Sequence, residues 1–183
     1  MKTILFATSN ERKIKEAVAG CNGFDIKIEQ VKLKIDEIQS HDPSEISLHK
    51  ASSAFEITKK PTIISDTSWN IPSLNGFPGG YMKDVANWFS VEDFLNLVKE
   101  KEDKRVCFIE TLVYKDDKQT KVFSKEFWGE FADKPKGENG NSIEKVAAFG
   151  GFTIAEKRDK GELSHKVEDY IWIEFARWFS KEK

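Results

Sequence analysis

Cysteine is scarce. Only Cys21 and Cys107 occur in 183 residues, far apart, and neither belongs to a C-x-x-C or Cys/His cluster. That spacing argues against a zinc site and predicts two reduced thiols in or near the core. No apolar run approaches the ~20 residues that cross a bilayer, so no membrane partner is expected. The first seven residues, Met1 to Ala7, lack the full hydrophobic region of a signal peptide and read as a core strand, which makes the cytoplasm the expected location. A surplus of positive charge is also missing. The formal net charge is −2, so the basic footprint of a nucleic-acid binder is absent. Neither common glycine-loop nucleotide motif occurs, G-x-x-x-x-G-K-[ST] or G-x-G-x-x-G. G-x-S-x-G is absent as well, and nothing in the spacing of the three histidines supports a Ser/His/Asp triad. No repeat, linker or low-complexity stretch interrupts the chain.

What remains is a composition of 39% hydrophobic and 33% charged residues, which fits a soluble globular protein and excludes a disordered one. Lys2 to Ala7 is a strand former's run that ends in the polar turn Thr8-Ser9-Asn10. From Glu11 the period becomes helical, with Ile14, Ala17, Val18 and Cys21 on one face, until Asn22-Gly23 stops it. A strand follows at about Phe24 to Lys32. Asp42-Pro43-Ser44-Glu45 predicts a capped helix start, with a capping-box spacing, for a helix reaching about Lys59 before Pro61. Its inward positions are expected at Ile46, Ala51, Ala54, Phe55 and Thr58. Thr62-Ile63-Ile64 reads as a brief buried strand leading into Ser65-Asp66-Thr67.

After the glycine-rich loop Asn75 to Gly80, helices are predicted over Tyr81 to Phe89 and Val91 to Lys99. Long strands over Arg105 to Tyr114 and Lys121 to Phe131 are joined by a hairpin at Asp116 to Lys118. Lys134 to Asn141 is a loop, and Phe149 to Ala155 a short apolar run. A last helix is expected from near Ser164 toward Ser180, with Val167, Ile171, Phe175 and Trp178 as its buried stripe. Alternating elements early and long strands in the middle indicate an α/β fold with a mixed sheet.

Four segments could carry chemistry. Thr8-Ser9-Asn10-Glu11-Arg12-Lys13 places a polar turn and a lysine at a helix start, where unpaired N–H groups and the positive helix end favour an anion. Read alone, the same residues make an ordinary N-cap and a surface lysine. Asp66 follows an apolar strand at the carboxyl end, where ligands of α/β proteins gather, and a carboxylate there suits Mg²⁺. Its plain alternative is a turn-forming Asp. Glu37 would complete a metal site if brought near Asp66, and is otherwise a solvated acid. Ser164-His165-Lys166, beside Lys160, can read a base edge or hold phosphate, or simply cap a helix. His41 and His49 are read as surface or interface residues.

The order of these segments resembles the inosine triphosphate pyrophosphatase family over nearly the whole chain. Thr8 to Lys13 resembles its T-x-N-x-x-K opening, Asp36-Glu37-Ile38-Gln39 its acidic E-[IL]-Q segment, and Asp42 through Lys50-Ala51 its next helix with an inward lysine. Asp66-Thr67-Ser68 and Leu74-Asn75-Gly76-Phe77-Pro78-Gly79-Gly80-Tyr81 resemble its D-[ST]-G/C segment and its L-x-G-x-P-G-x-Y loop, the most specific match. Ser164-His165-Lys166 resembles its S-H-R, and Lys160 stands where the family has a base-site lysine.

The resemblance implies one domain over residues 1–183 with two lobes: an elongated α/β mixed sheet with flanking helices and a central cleft, usually as a homodimer. It implies hydrolysis of deaminated purine nucleoside triphosphates such as ITP, dITP and XTP to the monophosphate and pyrophosphate, with Mg²⁺, or Mn²⁺ in its place. Carried over residue by residue, Thr8, Ser9, Asn10, Lys13 and Lys50 would hold the triphosphate. Glu37 and Asp66 would serve the metal and the attacking water. Phe149, Lys160, Ser164, His165 and Lys166 would form the base pocket.

Four departures stand out. The family has two acids where this chain has Ser65-Asp66. Its F-G-[YW]-D-P is here Phe149-Gly150-Gly151-Phe152-Thr153, which removes an aromatic and an acid from the base segment. Lys166 replaces Arg and lacks the planar fork. Trp69, close to Asp66, could supply replacement stacking or be a core tryptophan. The departures leave two alternatives to the family activity: altered base specificity, or a nucleotide-binding or scaffold protein that kept the fold without the chemistry.

Overall fold

In the computed structural model, which describes residues 1–162 and 166–181, most elements fall close to the spans that the sequence predicts. Strand β1 (Lys2–Ala7) buries Ile4 and Phe6 by simple alternation. Helix α1 (Glu11–Gly20) starts at Asn10, whose side-chain oxygen accepts from the Arg12 N–H at 3.0 Å. Strand β2 (Ile26–Val31) is followed by an irregular stretch and by helix α2 (Pro43–Thr58), capped by Asp42 and closed by Lys59 in the left-handed region. Strand β3 (Thr62–Ile71) continues into β4 (Phe77–Gly79), α3 (Met82–Trp88) and α4 (Val91–Val98). Then come β5 (Arg105–Lys115), β6 (Thr120–Phe131), β7 (Ala147–Phe149), β8 (Phe152–Thr153), α5 (Ile154–Asp159) and α6 (Ile171–Lys181).

The eight strands form one open mixed sheet, in the order β2-β1-β3-β5-β6-β7-β8, with β4 paired to β3. Strand β1 runs parallel to both β2 and β3, while β3–β4, β6–β7 and β7–β8 are antiparallel. The chain divides into two compact units. The first holds residues 1–67, 110–125 and 165–183; the second holds 68–109 and 126–164. The core of the first unit stacks Phe6, Tyr114, Phe123, Trp172, Phe175 and Phe179, with Phe175 and Phe179 face to face at 5.2 Å. A smaller cluster seats the small residues Ala51 and Ala54 of α2 on Ile64 and Val113. The second unit packs around Trp69, Phe94, Val106, Phe108, Ile143, Phe149 and Ile154. Trp69 is thus a core tryptophan, edge-on to Phe108 at 5.2 Å. Cys21 and Cys107 are buried free thiols, as expected.

Several expectations need correction. Val18 is 54% exposed, and α1 instead buries Glu16, Ala17 and Gly20, because Gly20 is pressed against the Trp172 side chain. A Cβ at Gly20 would lie 2.5 Å from that side chain, so only glycine allows the contact. The expected capping box of α2 does not close. The Glu45 carboxylate accepts from the Ser40 hydroxyl at 2.7 Å instead. On α2, Ser47, Ala51 and Ala54 are buried, while Ile46, Phe55 and Thr58 are only half-buried.

Strand β3 does not end at Ile64. It runs through Ser65, Asp66 and Thr67 because Trp69, Asn70 and Ile71 go on to pair with β4. The last helix begins at Ile171, after a short 3₁₀ turn at Val167–Asp169; Lys125 Nζ bonds the Asp169 carbonyl there. The buried stripe of α6 is Ile171, Trp172, Phe175, Ala176 and Phe179, with Trp178 partly buried and Val167 exposed. Finally, the apolar run at Phe149 to Ala155 is two short strands and the start of α5, which Thr153 and Glu156 close with a reciprocal capping box.

Candidate active site

Every residue expected to hold phosphate or metal lies in the first unit. A cavity of about 230 Å³ opens beside the α1 start, with Thr8, Ser9, Asn10 and Lys13 on one side and Glu37, Lys50 and Ser65 on the other. That is below the roughly 300–1,000 Å³ of pockets that take a whole drug-sized ligand, so it suits part of a nucleotide. Thr8 is fixed from two directions: its hydroxyl accepts from the Asn10 N–H at 3.1 Å, and its carbonyl from Gln30 at 3.1 Å. Gln30 was not foreseen as part of the frame. The turn is thus shaped before any ligand arrives, at the helix end where anions are favoured.

Two lysines face this turn. Lys13, one turn into α1, donates to the Ser65 carbonyl at 2.8 Å. Burial pulls its ammonium below the usual lysine range, against the attraction of Asp66. Lys50, on α2, sits between two carboxylates, 2.7 Å from Glu37 Oε1 and 3.2 Å from Asp66 Oδ2. Burial opposes its charge too, but Asp66 and then Glu37 prevail and its pKa is raised. The other Asp66 oxygen accepts from the Thr67 N–H at 3.0 Å, so the carboxylate is oriented at both ends. Glu37 comes from the irregular stretch before α2 and is the most solvated of the three, at 45% exposed.

Because one oxygen of each carboxylate touches the same Lys50 nitrogen, these two oxygens lie within about 6 Å of each other. Among the described residues no three His, Cys, Asp or Glu side chains gather into a metal cage. Two carboxylates are nevertheless what Mg²⁺ uses when waters and substrate phosphates complete its shell, so the donor set fits that ion.

Behind Lys13 lies a pair of acids that the motifs did not reveal. Glu16, one turn further along α1, and Glu110, from β5, are both buried. Burial, and then the Glu16 charge, push the Glu110 carboxyl up to about 7, while Lys13, Arg12 and Lys125 pull the other way. No sequence signal marks Glu110; only the packing of α1 on the sheet brings the two acids together.

The residues expected at the base are distributed differently. Phe149 is 5% exposed, edge-on to Trp69 at 6.0 Å, in the core of the second unit. Gly150 and Gly151 form the turn after it, with φ of 63° and 88°. Lys160 ends α5, and its ammonium lies 4.3 Å from the ring centroid of Phe152, a residue not anticipated in any role. Lys166 is exposed just before the 3₁₀ turn. Ser164 and His165 lie outside the described residues.

Comparison with known proteins agrees with the motif order. Residues 4–168 match the profile of the Ham1 family. A dITP/XTP pyrophosphatase of Methanopyrus kandleri is 32% identical over 181 residues, covering 96% of this chain and 95% of that one. The Ham1 protein of Staphylococcus aureus superposes over the full length of both chains with a TM-score of 0.77 at 26% identity. A HAM1 protein of Coxiella burnetii superposes over the full length of both with a TM-score of 0.82 at 18% identity, a likeness of fold.

Proposed function

The chain belongs to the Ham1 family, and from that premise we propose how its first unit hydrolyses deaminated purine nucleoside triphosphates to the monophosphate and pyrophosphate. The observation that carries the reading is Lys50 clamped between Glu37 and Asp66 beside the capped turn of α1. The turn residues Thr8, Ser9 and Asn10, with Lys13 and Lys50, receive the triphosphate. Both lysines already hold partners, so phosphate oxygens replace the Ser65 carbonyl at Lys13 and share Lys50 with the acids. Charge builds on phosphoryl oxygens as water attacks the α-phosphorus, and two fixed ammonium groups offset it without reorganising.

Asp66 is the better-oriented acid, held by the Thr67 N–H and by Lys50, and it takes the proton of the attacking water. Glu37 and Asp66 are the residues that would hold Mg²⁺, or Mn²⁺, which when bound supplies Lewis-acid polarisation of the phosphoryl oxygens. Phe149, Lys160, Ser164, His165 and Lys166 remain the family-based assignment for the base. A homodimer and a cytoplasmic location belong to the same reading. Among the described residues no helix is long and apolar enough to cross a membrane.

Ser65 supports a second reading. A single acid at this point of β3, where the family has two, is what a nucleotide-binding protein without turnover would show. Pyrophosphate release across ordinary and deaminated purine and pyrimidine triphosphates, with Mg²⁺ and with EDTA, separates the two. Metal-dependent cleavage of ITP or XTP in preference to ATP and GTP is expected. Tight binding with no cleavage of any nucleotide supports the second reading.

A further inference from the structure

Resting on the reading of the chain as a nucleotide hydrolase, we propose that Gln30 is a positioning residue for the phosphate site, turning the Thr8–Ser9 peptide so that the Ser9 N–H meets a phosphate oxygen. Gln30 does not itself line the cavity beside α1, so it acts through the backbone of the turn. Along β2, Ile26 and Ile28 pack against the core of the first unit, and Gln30 takes the next place in that row by the period of two. An apolar side chain is the ordinary occupant of such a place. A half-buried amide there needs a partner, and it finds one in the Thr8 carbonyl at 3.1 Å. A carbonyl only accepts, so the NH₂ end of the amide faces it.

The contact comes where the strand ladder stops. Strands β1 and β2 pair in parallel from Lys2 and Ile26 to Ala7 and Val31, and the Thr8 N–H still donates to the Val31 carbonyl at 3.1 Å. Strand β2 ends at Val31, and the Gln30 amide serves the Thr8 carbonyl where the next ladder donor would stand. Thr8 is thereby tied to β2 through both of its backbone groups.

The peptide that follows is trans, so its C=O and N–H point in opposite directions. With the Thr8 carbonyl held toward Gln30, the Ser9 N–H is turned away from it. Ser9 is exposed and lines the cavity, and its N–H has no hydrogen-bond partner among the described residues. A backbone N–H fixed in this way offers phosphate an uncharged donor that needs no rearrangement, alongside the ammonium groups of Lys13 and Lys50 in the same cavity.

The test compares full-length wild type with Gln30→Met, Gln30→Glu and Ile28→Val, in the presence of Mg²⁺. Gln30→Met keeps the length of the side chain and removes the donor. It should raise the KM for ITP and the inhibition constant of tripolyphosphate by the same factor, between about fivefold and thirtyfold, with kcat within about threefold. Gln30→Glu, equally long but only an acceptor when ionised, should lose at least as much. Ile28→Val loosens the same row of β2 without touching the turn, so it should lower Tm and leave both constants within about twofold. Unchanged constants in Gln30→Met or Gln30→Glu overturn the proposal. So does a loss in Ile28→Val as large as that in Gln30→Met, which would mark a general loosening of the strand. If wild type releases no pyrophosphate, the hydrolase reading fails by itself. Calorimetric binding of tripolyphosphate then decides, upholding the proposal if Gln30→Met weakens it by about fivefold or more, and overturning it if the loss is smaller or wild type does not bind.

Discussion

The cluster around Lys50 and the β7–β8 hairpin are held in place by opposite means. In the first unit, Lys50 is fixed by Glu37 and Asp66, and Lys13 by the Ser65 carbonyl, with Glu16 and Glu110 buried behind. Order there is largely ionic, and on the proposed reading phosphate oxygens take the place of the Ser65 carbonyl at Lys13 and share Lys50 with the acids. In the second unit, the β7–β8 hairpin takes its shape from two glycines at positive φ, the packing of Phe149 on Trp69 and the Thr153 cap. Order there rests on backbone conformation, ring packing and a helix cap, with no ion pair in the set. On the proposed reading the difference predicts that substitutions in the first region alter catalysis, metal affinity and pH response, while those in the second alter stability.

The largest effect is expected at Asp66. Asp66→Asn keeps the shape of the side chain but removes the proton acceptor and half the acidic pair. Turnover should fall by about 10²–10⁴-fold, with thermal stability little changed because the side chain is partly solvated. A large loss of stability instead would show that the ionic cluster is structural.

Glu110→Gln comes next and should act on stability. The folded protein binds the Glu110 proton more tightly than the unfolded chain, since burial raises the carboxyl from 4.5 to about 7. The cost of that buried charge is absent below about pH 4.5, grows as the pH rises toward 7, and is complete above it. Each pH unit of that interval is worth about 1.4 kcal/mol at most, so Glu110→Gln should exceed wild type by up to a few kcal/mol at pH 8. The difference should vanish near pH 4.5, and denaturant unfolding at the two pH values measures it.

Ser65→Asp restores a second acid beside Asp66. More ligand charge tightens a hard-cation site, so the Mg²⁺ concentration for half-maximal activity should drop by on the order of tenfold. No change would mean that Lys13, already bonded to the Ser65 carbonyl, neutralises the added charge.

The smallest effect belongs to the hairpin. Gly151→Ala forces a Cβ into the left-handed region at φ 88° and should cost about 1–2 kcal/mol of stability, read as a fall in Tm. Turnover of a base-free substrate should not respond.

Local signals in the sequence were legible where local chemistry decides the structure. The caps at Asn10 and Asp42, the alternation of β1 and the glycine stop after α1 all appear where those residues predict them. Grouping Lys13, Lys50, Glu37 and Asp66 depended on family resemblance, because three separate elements and an irregular stretch bring them together. Tertiary contact hid the rest. Glu16 replaces Val18 on the buried face of α1 because Trp172 seats against Gly20, and helical periodicity cannot see a partner helix. The start of α6 falls at Ile171 because Tyr170 takes an extended conformation after the 3₁₀ turn at Val167–Asp169. The start of α5 was readable after all, in the Thr153-x-x-Glu156 spacing, but two glycines and an apolar run masked it.

The most direct test of the account is hydrolysis of ITP in ¹⁸O-labelled water with Mg²⁺, followed by mass spectrometry of the products. Attack at the α-phosphorus predicts label in IMP and none in pyrophosphate. Label in pyrophosphate or orthophosphate, or no labelled product at all, would contradict it.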